Sequence, residues 1–223
     1  MAKLFLSTCH LGTSKLFKTL YGLLMANAGY SVTDLCGDST RVVHPLFQVD
    51  DGGSTPTSPL QLHVGKISVD LAIELNRMWH SRLPIIDKSN ILRNRYYFCF
   101  GAEFGNIWYA AAIWTDPVSA TYSAEPFLEL RRFAIAPDAP KNTASRIIKV
   151  MTKVIKRARP NITKLISYQD LDVHAGTIYA ASGWKPIGLT KGGKNTWTTT
   201  KRIRNDAQAI GDKIRWEFPL KAC

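Results

Sequence analysis

The spacing of hydrophobic and polar positions changes along the chain and divides it into predicted elements. Apolar residues occupy every second position over residues 60–64, as in a half-buried strand. From Ser68 onward the apolar positions are three and four apart, which predicts a helix that Ser68 caps and that runs to His80. Pro84 stops this helix.

Three strands are predicted next. Two aromatic-rich runs, 96–100 and 107–114, flank the glycine-containing segment 101–105, a pattern typical of an antiparallel hairpin. A further apolar run over 128–136 predicts the third strand. Pro137 ends it.

The C-terminal third predicts two helices and a closing hairpin. Asn142 or Thr143 can cap a helix that reaches about Ala158 and has one apolar and one basic face. The later elements are a short strand at 164–167, a helix at 175–182, and a hairpin formed by 184–188 and 196–202.

This order of elements predicts a mixed α/β fold, with a central mixed β-sheet flanked by helices. The breaker-rich segment 52–59 marks a boundary between an extension of unknown role, 1–57, and a main domain, 58–223. The chain has no G-x-G-x-x-G motif and no P-loop, which argues against the common nucleotide-binding folds.

Composition favours a soluble protein of the cytoplasm. The chain has 223 residues, 45% of them hydrophobic and 21% charged, which is ordinary for a globular domain. The four cysteines form no C-x-x-C pair, and no apolar run is long enough to span a membrane. We therefore expect a reduced, cytoplasmic protein without a membrane partner.

Charge is distributed unevenly and predicts a polyanionic partner. Residues 1–130 have a net charge of −1, whereas residues 131–223 have a net charge of +13. Such a field favours the phosphates of DNA, although a basic helix face is often only a solvated surface. The predicted DNA contacts are Lys149, Lys153, Lys156, Arg157, Lys191, Lys194, Lys201 and Arg202.

Five separated motifs carry a resemblance to a known family. They are WHSRLP at 79–84, LRRFAI at 130–135, APKNTASR at 139–146, ISYQD at 166–170 and GTIY at 176–179. Together they resemble the Mom family of phage DNA-modification proteins, a divergent group of the GNAT acetyltransferase fold. The order of elements from residue 60 also resembles the GNAT fold.

The resemblance implies an enzyme that adds a carbamoylmethyl group to N6 of adenine in double-stranded DNA, which protects bacteriophage DNA from host restriction. It also implies iron. Acyl-CoA is a doubtful donor, because the loop before the basic helix lacks the glycines that let backbone N–H groups close on the CoA pyrophosphate. We expect weak acyl-CoA binding and another small donor.

The same resemblance implies a set of site residues. His80, Asp170 and Tyr168 are the candidate catalytic residues, with His80 and Asp170 also candidate metal ligands, although no ligand set follows from the histidine spacing. The candidate donor-binding residues are Arg132, Asn142, Ser145, Arg146 and Tyr179.

Each candidate also has a structural interpretation. His80 ends a helix, where a histidine often only favours the helix dipole. Asp170 can form an Asx turn or cap the next helix. Arg132 alternates with Leu130 and Ala134, so it projects from an apolar strand face, where an anion or a carboxylate must compensate it.

Two other functions are compatible with the sequence. One is a GNAT-type N-acetyltransferase that uses acetyl-CoA on a small-molecule or protein amine. The other is a non-catalytic nucleic-acid-binding protein. The donor, the metal ligands, the DNA target sequence, the oligomeric state and the role of residues 1–57 stay open.

Overall fold

The computed structural model describes residues 55–80, 83–119, 121–192 and 211–220, which form one seven-stranded mixed sheet with helices on both faces. The strands are β1 (His63–Lys66), β2 (Tyr97–Phe104), β3 (Ile107–Thr115), β4 (Phe127–Ile135), β5 (Lys164–Asp170), β6 (Lys185–Thr190) and β7 (Lys213–Pro219). The helices are α1 (Val69–Trp79), α2 (Lys88–Leu92), α3 (Thr143–Ala158) and α4 (Thr177–Ala181), with a 3-10 turn at Pro59–Gln61. The mixed α/β fold predicted from the sequence is confirmed.

The order of strands in the sheet is β1-β2-β3-β4-β5-β7-β6. Every neighbouring pair is antiparallel except β4 and β5, which run parallel. The parallel pairing ends at Leu130 and Ser167, and beyond that point the two strands separate. The sheet therefore opens in its middle, between the C-terminal halves of β4 and β5.

Two hydrophobic clusters define the two faces of the sheet. On the first face, α1 and α2 pack against β2 and β3 through residues such as Leu71, Ile91 and Ile113. On the second face, α3 and α4 pack through residues such as Met151 and Tyr179. The second cluster is the larger, because it also contains Trp114, Trp184 and Trp216 among its buried members.

The two long helices begin in different ways. Ser68 caps α1 as predicted, because its hydroxyl accepts a hydrogen bond from the backbone N–H of Leu71 at 3.2 Å. Asn142 precedes α3 in the left-handed conformation, with φ +66°, and its side chain makes no capping bond. The Thr143 hydroxyl donates instead to the carbonyl oxygen of Pro140 at 2.7 Å. Side-chain capping of α3 by either residue was therefore a wrong prediction.

The structure also corrects the predicted strands. The hairpin of β2 and β3 turns at Gly105 and Asn106, both with positive φ, so most of the predicted loop 101–105 belongs to β2. The partner of β6 is β7, which the sequence did not predict. The predicted strand at 196–202 lies outside the described residues. Helix α2 was also missed, because it has only five residues.

None of the described helices has the length and apolar character that crossing a membrane requires.

We predict that Ile148→Ala in α3 lowers the free energy of unfolding by about 2–5 kcal/mol, because the Ile148 side chain is fully buried in the larger cluster. Lys149→Ala is the matched control on the next residue, which is exposed, and we expect a change within about 0.5 kcal/mol. Urea unfolding followed by circular dichroism measures both. Equal losses in the two variants would contradict the packing of α3 on the sheet.

Candidate functional site

The first face of the sheet is polar where α1 and α2 do not cover it. Partner residues of neighbouring strands project to the same face, so Glu129 lies opposite Thr115 and beside Ile166 on this face. By the same alternation, β5 and β7 contribute charged and phenolic side chains to it. The residues of this polar face are Glu129, Arg132, Tyr168, Asp170, Lys213, Arg215 and Glu217.

A β-bulge in β4 places Arg132 on the polar face. Ile113 pairs with Arg132 and Trp114 pairs with Leu130, which leaves Arg131 as the extra residue. Because Trp114 belongs to the second face and Ile113 to the first, Leu130 and Arg132 lie on opposite faces. The sequence predicted that Arg132 and Leu130, two positions apart, share one face of the strand. This prediction is wrong, because the bulge at Arg131 interrupts the period of two.

Among the described residues, the Arg132 side chain donates hydrogen bonds to backbone carbonyl groups only. Its Nη1 donates to the carbonyl oxygen of Arg131 at 2.8 Å, and its Nη2 donates to that of Pro84 at 3.4 Å. Burial, with a smaller effect of the neighbouring charge of Arg131, lowers the pKa of Arg132 to about 10. The guanidinium stays charged at neutral pH and can donate to an anionic or carbonyl oxygen.

His80 and Arg132 line one small pocket between the end of α1 and β4. His80 is the C-terminal cap of α1, and its backbone N–H donates to the carbonyl oxygen of Asn76 at 2.8 Å. Burial lowers the pKa of His80, and the charges of Arg132 and His174 lower it further. The imidazole is therefore neutral at pH 7 and available as a proton acceptor.

A buried glutamine holds the turn that carries His174. The Nε2 of Gln169 donates a short hydrogen bond to the carbonyl oxygen of His174, and its Oε1 accepts from the Trp216 indole N–H at 2.7 Å. Gly176 has φ +74°, and a Cβ there would lie 2.8 Å from the Trp216 ring. These contacts fix the turn after β5. From this turn the charge of His174 lowers the pKa of His80.

Asp170 has the turn-forming role that the sequence left as an alternative. Its Oδ1 accepts a hydrogen bond from the backbone N–H of Asp172 at 3.0 Å, and its carbonyl oxygen accepts from the N–H of His174 at 3.1 Å. A catalytic role for Asp170 stays a prediction.

Tyr168 and Glu129 share the polar face. Burial raises the pKa of Tyr168, and the negative charge of Glu129 raises it further. The Glu129 carboxyl is 7% exposed and accepts a hydrogen bond from the backbone N–H of Val118 at 2.9 Å. Burial raises its pKa as well, whereas Arg131, Arg132 and Lys213 oppose the shift.

The predicted donor loop is engaged in structural bonds. The Ser145 hydroxyl donates to the carbonyl oxygen of Asn142 at 3.1 Å, within the first turn of α3. Arg146 donates from Nε to the carbonyl oxygen of Pro59 at 2.8 Å, which ties α3 to the 3-10 turn. The structure thus gives Ser145 and Arg146 local roles at the start of α3, and donor binding by Asn142, Ser145 and Arg146 stays a prediction.

Tyr179 lies in the core on the second face. It is 7% exposed, stacks on Trp216 with ring centroids 5.4 Å apart, and forms a 2.8 Å hydrogen bond with Ser167. The Ser167 hydroxyl is also 3.4 Å from the Leu130 carbonyl oxygen, where β4 and β5 separate. Tyr179 therefore packs on the second face of the sheet at the point where β4 and β5 separate. Burial raises the pKa of Tyr179.

The basic face of α3 lies on the opposite side of the sheet from the polar face. Lys149, Lys153 and Arg157 are exposed and Lys156 is half-buried. No carboxylate of the described residues forms an ion pair with these four cations. Lys191 is exposed after β6, whereas Lys194, Lys201 and Arg202 lie outside the described residues. The four cations of α3 therefore lie away from the predicted catalytic residues.

Iron is not accommodated by the described residues alone. Over 55–80, 83–119, 121–192 and 211–220, no group of three His, Cys, Asp or Glu side chains could hold one metal ion. His80 and Asp170 therefore do not form a metal centre by themselves, and we derive no step through iron.

Sequence reasoning missed three residues near the site: Asn76, Glu129 and His174. None of the three was among the predicted site residues, and the histidine spacing gave no signal for His174. A carboxylate inside an apolar strand is a signal that could have identified Glu129. The approach of His174 to His80 depends on the tertiary fold, so no local pattern shows it.

A sheet that opens between parallel strands β4 and β5, with a β4 bulge at the opening, defines the GNAT fold class. Solved structures support this class. The ribosomal-protein-S18-alanine N-acetyltransferase from Escherichia coli has a TM-score of 0.51 at 14% identity, over 73% of this chain and 96% of that chain. The spermidine/spermine N-acetyltransferase from Vibrio cholerae has a TM-score of 0.51 at 11% identity, over 73% and 94%.

The ribosomal-protein-S5-alanine acetyltransferase from Vibrio fischeri also has a TM-score of 0.51, at 12% identity, over 72% of this chain and 94% of that chain. At these identities the likeness concerns the fold. The Mom protein family model matches residues 101–215. The chain belongs to the Mom family, as the five motifs indicated. No curated protein matches its sequence.

We predict that His80 titrates below pH 6.5 in nuclear magnetic resonance spectra, and that Arg132→Gln raises its midpoint more than His174→Gln does. Burial disfavours the imidazolium, and Arg132 has the larger of the two charge effects. Because the folded pKa is below the unfolded value, His80 stabilises the fold above about pH 6.5 and this contribution is lost as the pH falls.

Lys149→Gln is the control, since it removes a cation from the opposite face and leaves the midpoint unchanged. A wild-type midpoint at or above the ordinary value would show that His80 is neither buried nor near these cations.

Proposed function

We propose that this protein modifies N6 of adenine in double-stranded DNA with a carbamoylmethyl group, as the resemblance to the Mom family implies. The observation that carries the proposal is the pocket shared by His80 and Arg132, beside the opening of the sheet in a Mom-family chain. Transfer to an amine is the reaction of the acetyltransferases whose fold the chain shares.

The two groups have complementary roles in such a transfer. The neutral imidazole of His80 accepts a proton from the N6 amine as the new N–C bond forms. In the same step the bond between the methylene carbon and the rest of the donor breaks, and the leaving group takes its electron pair. The guanidinium of Arg132 holds the polar end of the donor. Two groups close together, one proton-accepting and one cationic, are what transfer to a weak amine nucleophile requires.

Tyr122 is the aromatic residue best placed to stack on an extruded adenine. Trp114 and Tyr109 are buried, and Trp108 packs against Gly101. Tyr122 is half-buried, and its hydroxyl accepts a short hydrogen bond from Nη1 of Arg215 on the polar face. A base taken out of the duplex needs such a ring beside the catalytic groups.

A donor other than acyl-CoA fits the start of α3 better. The loop before α3 contains no glycine, and in the first turn of α3 the Ser145 and Arg146 side chains donate to the carbonyl groups of Asn142 and Pro59. We therefore propose a small donor without a pyrophosphate that needs a glycine-lined cradle.

We predict that cells expressing the protein accumulate a deoxyadenosine of increased mass, and that His80→Ala and Arg132→Ala each lower its amount at least 100-fold. Mass spectrometry of nucleosides from total DNA measures this. Asp170→Asn tests the third predicted catalytic residue in the same assay.

Arg159→Ala is the matched control for the loss of an arginine, because Arg159 is exposed after α3. Unmodified deoxyadenosine in all samples, together with acetylation of a protein or small-molecule amine, would favour the N-acetyltransferase alternative. DNA binding without any modified product would favour a binding module.

For DNA binding, we predict that duplex affinity falls steeply with salt and that the triple variant Lys149→Glu, Lys153→Glu and Lys156→Glu weakens binding to all sequences alike. Within the described part of the chain these three lysines form no ion pair, so their positive charge is available to the phosphates of the DNA. Phosphate contacts do not distinguish one base sequence from another. Fluorescence anisotropy over a salt series measures the slope.

The comparison variant is Arg93→Glu, which reverses the charge of an exposed side chain. The positive charge of Arg93 lowers the pKa of Arg131 in the bulge, so the two side chains are neighbours. If the triple variant binds DNA like the wild type while Arg93→Glu does not, the DNA footprint lies on the polar face and excludes α3.

A further inference from the structure

Polar contacts hold the Tyr122 side chain against the polar face. Tyr122 lies in the connection between β3 and β4, and its hydroxyl accepts a short hydrogen bond from Nη1 of Arg215 in β7. The guanidinium carbon of Arg215 lies 5.0 Å from the centre of the Tyr122 ring. In the same connection, the backbone N–H of Val118 donates to Oε2 of Glu129 in β4 at 2.9 Å. The connection is therefore attached to the sheet at two points.

The Glu217 carboxylate holds Arg215 from the other side. Glu217 is two residues from Arg215 on β7, so both side chains project to the polar face. Its Oε1 lies 3.0 Å from Nε of Arg215, and its Oε2 lies 2.8 Å from Nζ of Lys164 in β5. The Glu217 side chain is 11% exposed and that of Arg215 is 23% exposed. These charged contacts are therefore partly shielded from water, where they are stronger than at the surface.

An aromatic neighbour closes the arrangement. Nζ of Lys164 lies 4.7 Å from the centre of the Phe127 ring, and the ring centres of Phe127 and Tyr122 are 6.0 Å apart. Because Arg215 and Phe127 both contact Tyr122, its side chain is restrained by two neighbours. The five side chains in this closed series of contacts, here called the Glu217 network, are Tyr122, Arg215, Glu217, Lys164 and Phe127.

The Glu217 network lies beside the opening of the sheet. Arg215 pairs with Tyr168, which is one residue beyond Ser167, where the pairing of β4 with β5 ends. Burial raises the pKa of Tyr168, and the smaller effects on this pKa include those of Glu129, Arg215 and Tyr122, so these groups are neighbours. The Tyr122 residue is half-buried, so part of it is accessible from solvent.

We propose that Glu217 is a positioning residue, which acts through Arg215 to hold the Tyr122 ring ready to stack on an unpaired base. This step rests on the proposed function, in which the target adenine leaves the duplex. Buried ion pairs contribute little net stability, because desolvation offsets their attraction, so the main effect of the Glu217 network is a fixed geometry. A ring that is ordered before the base arrives loses less entropy on binding, which increases affinity.

A purely structural role for Glu217 leads to a different expectation. In that role the carboxylate compensates the charges of Arg215 and Lys164 whether or not Tyr122 has its hydroxyl. The positioning role needs the hydroxyl, because it accepts the bond from Arg215. The variant Tyr122→Phe keeps the ring and removes this bond, so it separates the two roles.

The test compares two single strands that have the same phosphates. One is an oligonucleotide of about eight deoxyadenosines, and the other is an abasic strand of equal length. Fluorescence anisotropy with the full-length protein gives both dissociation constants, and neither strand requires a target sequence or the opening of a duplex. We expect the wild type to bind the adenine strand at least about fivefold more tightly, and Tyr122→Ala to bind both strands alike.

The variants Glu217→Gln and Tyr122→Phe should each lower this preference to less than about twofold, and Glu217→Gln should have no further effect in the Tyr122→Phe background. Two controls should keep the wild-type preference. Glu125→Gln removes an exposed carboxylate from the same connection, and Tyr97→Ala removes an exposed tyrosine at the start of β2.

If Glu217→Gln does not fold, Arg215→Lys provides the same test, because lysine keeps the charge and lacks the planar fork that reaches two partners. The proposal is overturned if the wild type shows no preference, if the preference survives in Tyr122→Ala or Glu217→Gln, or if Glu217→Gln causes an equal further loss in the Tyr122→Phe background. The titration uses neither donor nor duplex, so its failure is distinguishable from an absence of modified deoxyadenosine.

Discussion

The structure depends on the separation of β4 from β5 after Leu130 and Ser167. Parallel strands that stop pairing leave backbone groups to be satisfied in other ways, and the Ser167 hydroxyl, 3.4 Å from the Leu130 carbonyl oxygen, provides part of this. The bulge at Arg131 lies directly beyond the last pair and turns Arg132 towards α1. One local irregularity thus creates both the opening and the cationic side of the site.

The separation also explains why charge is divided between two surfaces. The second face of the sheet is filled by α3, α4 and the tryptophans, so cations of α3 can only face solvent. None of the described helices covers the polar face over β5 and β7, and the charges of Arg131, Arg132 and Lys213 act on the buried Glu129 there. If the adenine is modified beside His80, as proposed, the duplex must approach the polar face. Cations of α3 can then contribute to DNA affinity only if the DNA passes around an edge of the sheet.

Sequence patterns predicted the elements whose packing is regular, and failed where the backbone is irregular. The Ser68 cap and the apolar stripe of α1 follow the helical period, so both were predicted correctly. The bulge at Arg131 cannot be read from alternation, because alternation assumes that it is absent. The site residues His174 and Asn76 were missed for a different reason: only the fold brings His174 near His80 and places Asn76 in one pocket with Arg132.

The Asn76 side chain is buried, and its Oδ1 has no hydrogen-bond partner among the described residues. Leucine at this position of α1 would fill the same space without burying an unpaired oxygen, so folding alone does not favour asparagine. Arg132 is half-buried, and the described residues offer it only backbone carbonyl partners. Both groups line one pocket beside a histidine kept neutral by burial, so this part of the fold is not optimised for stability alone.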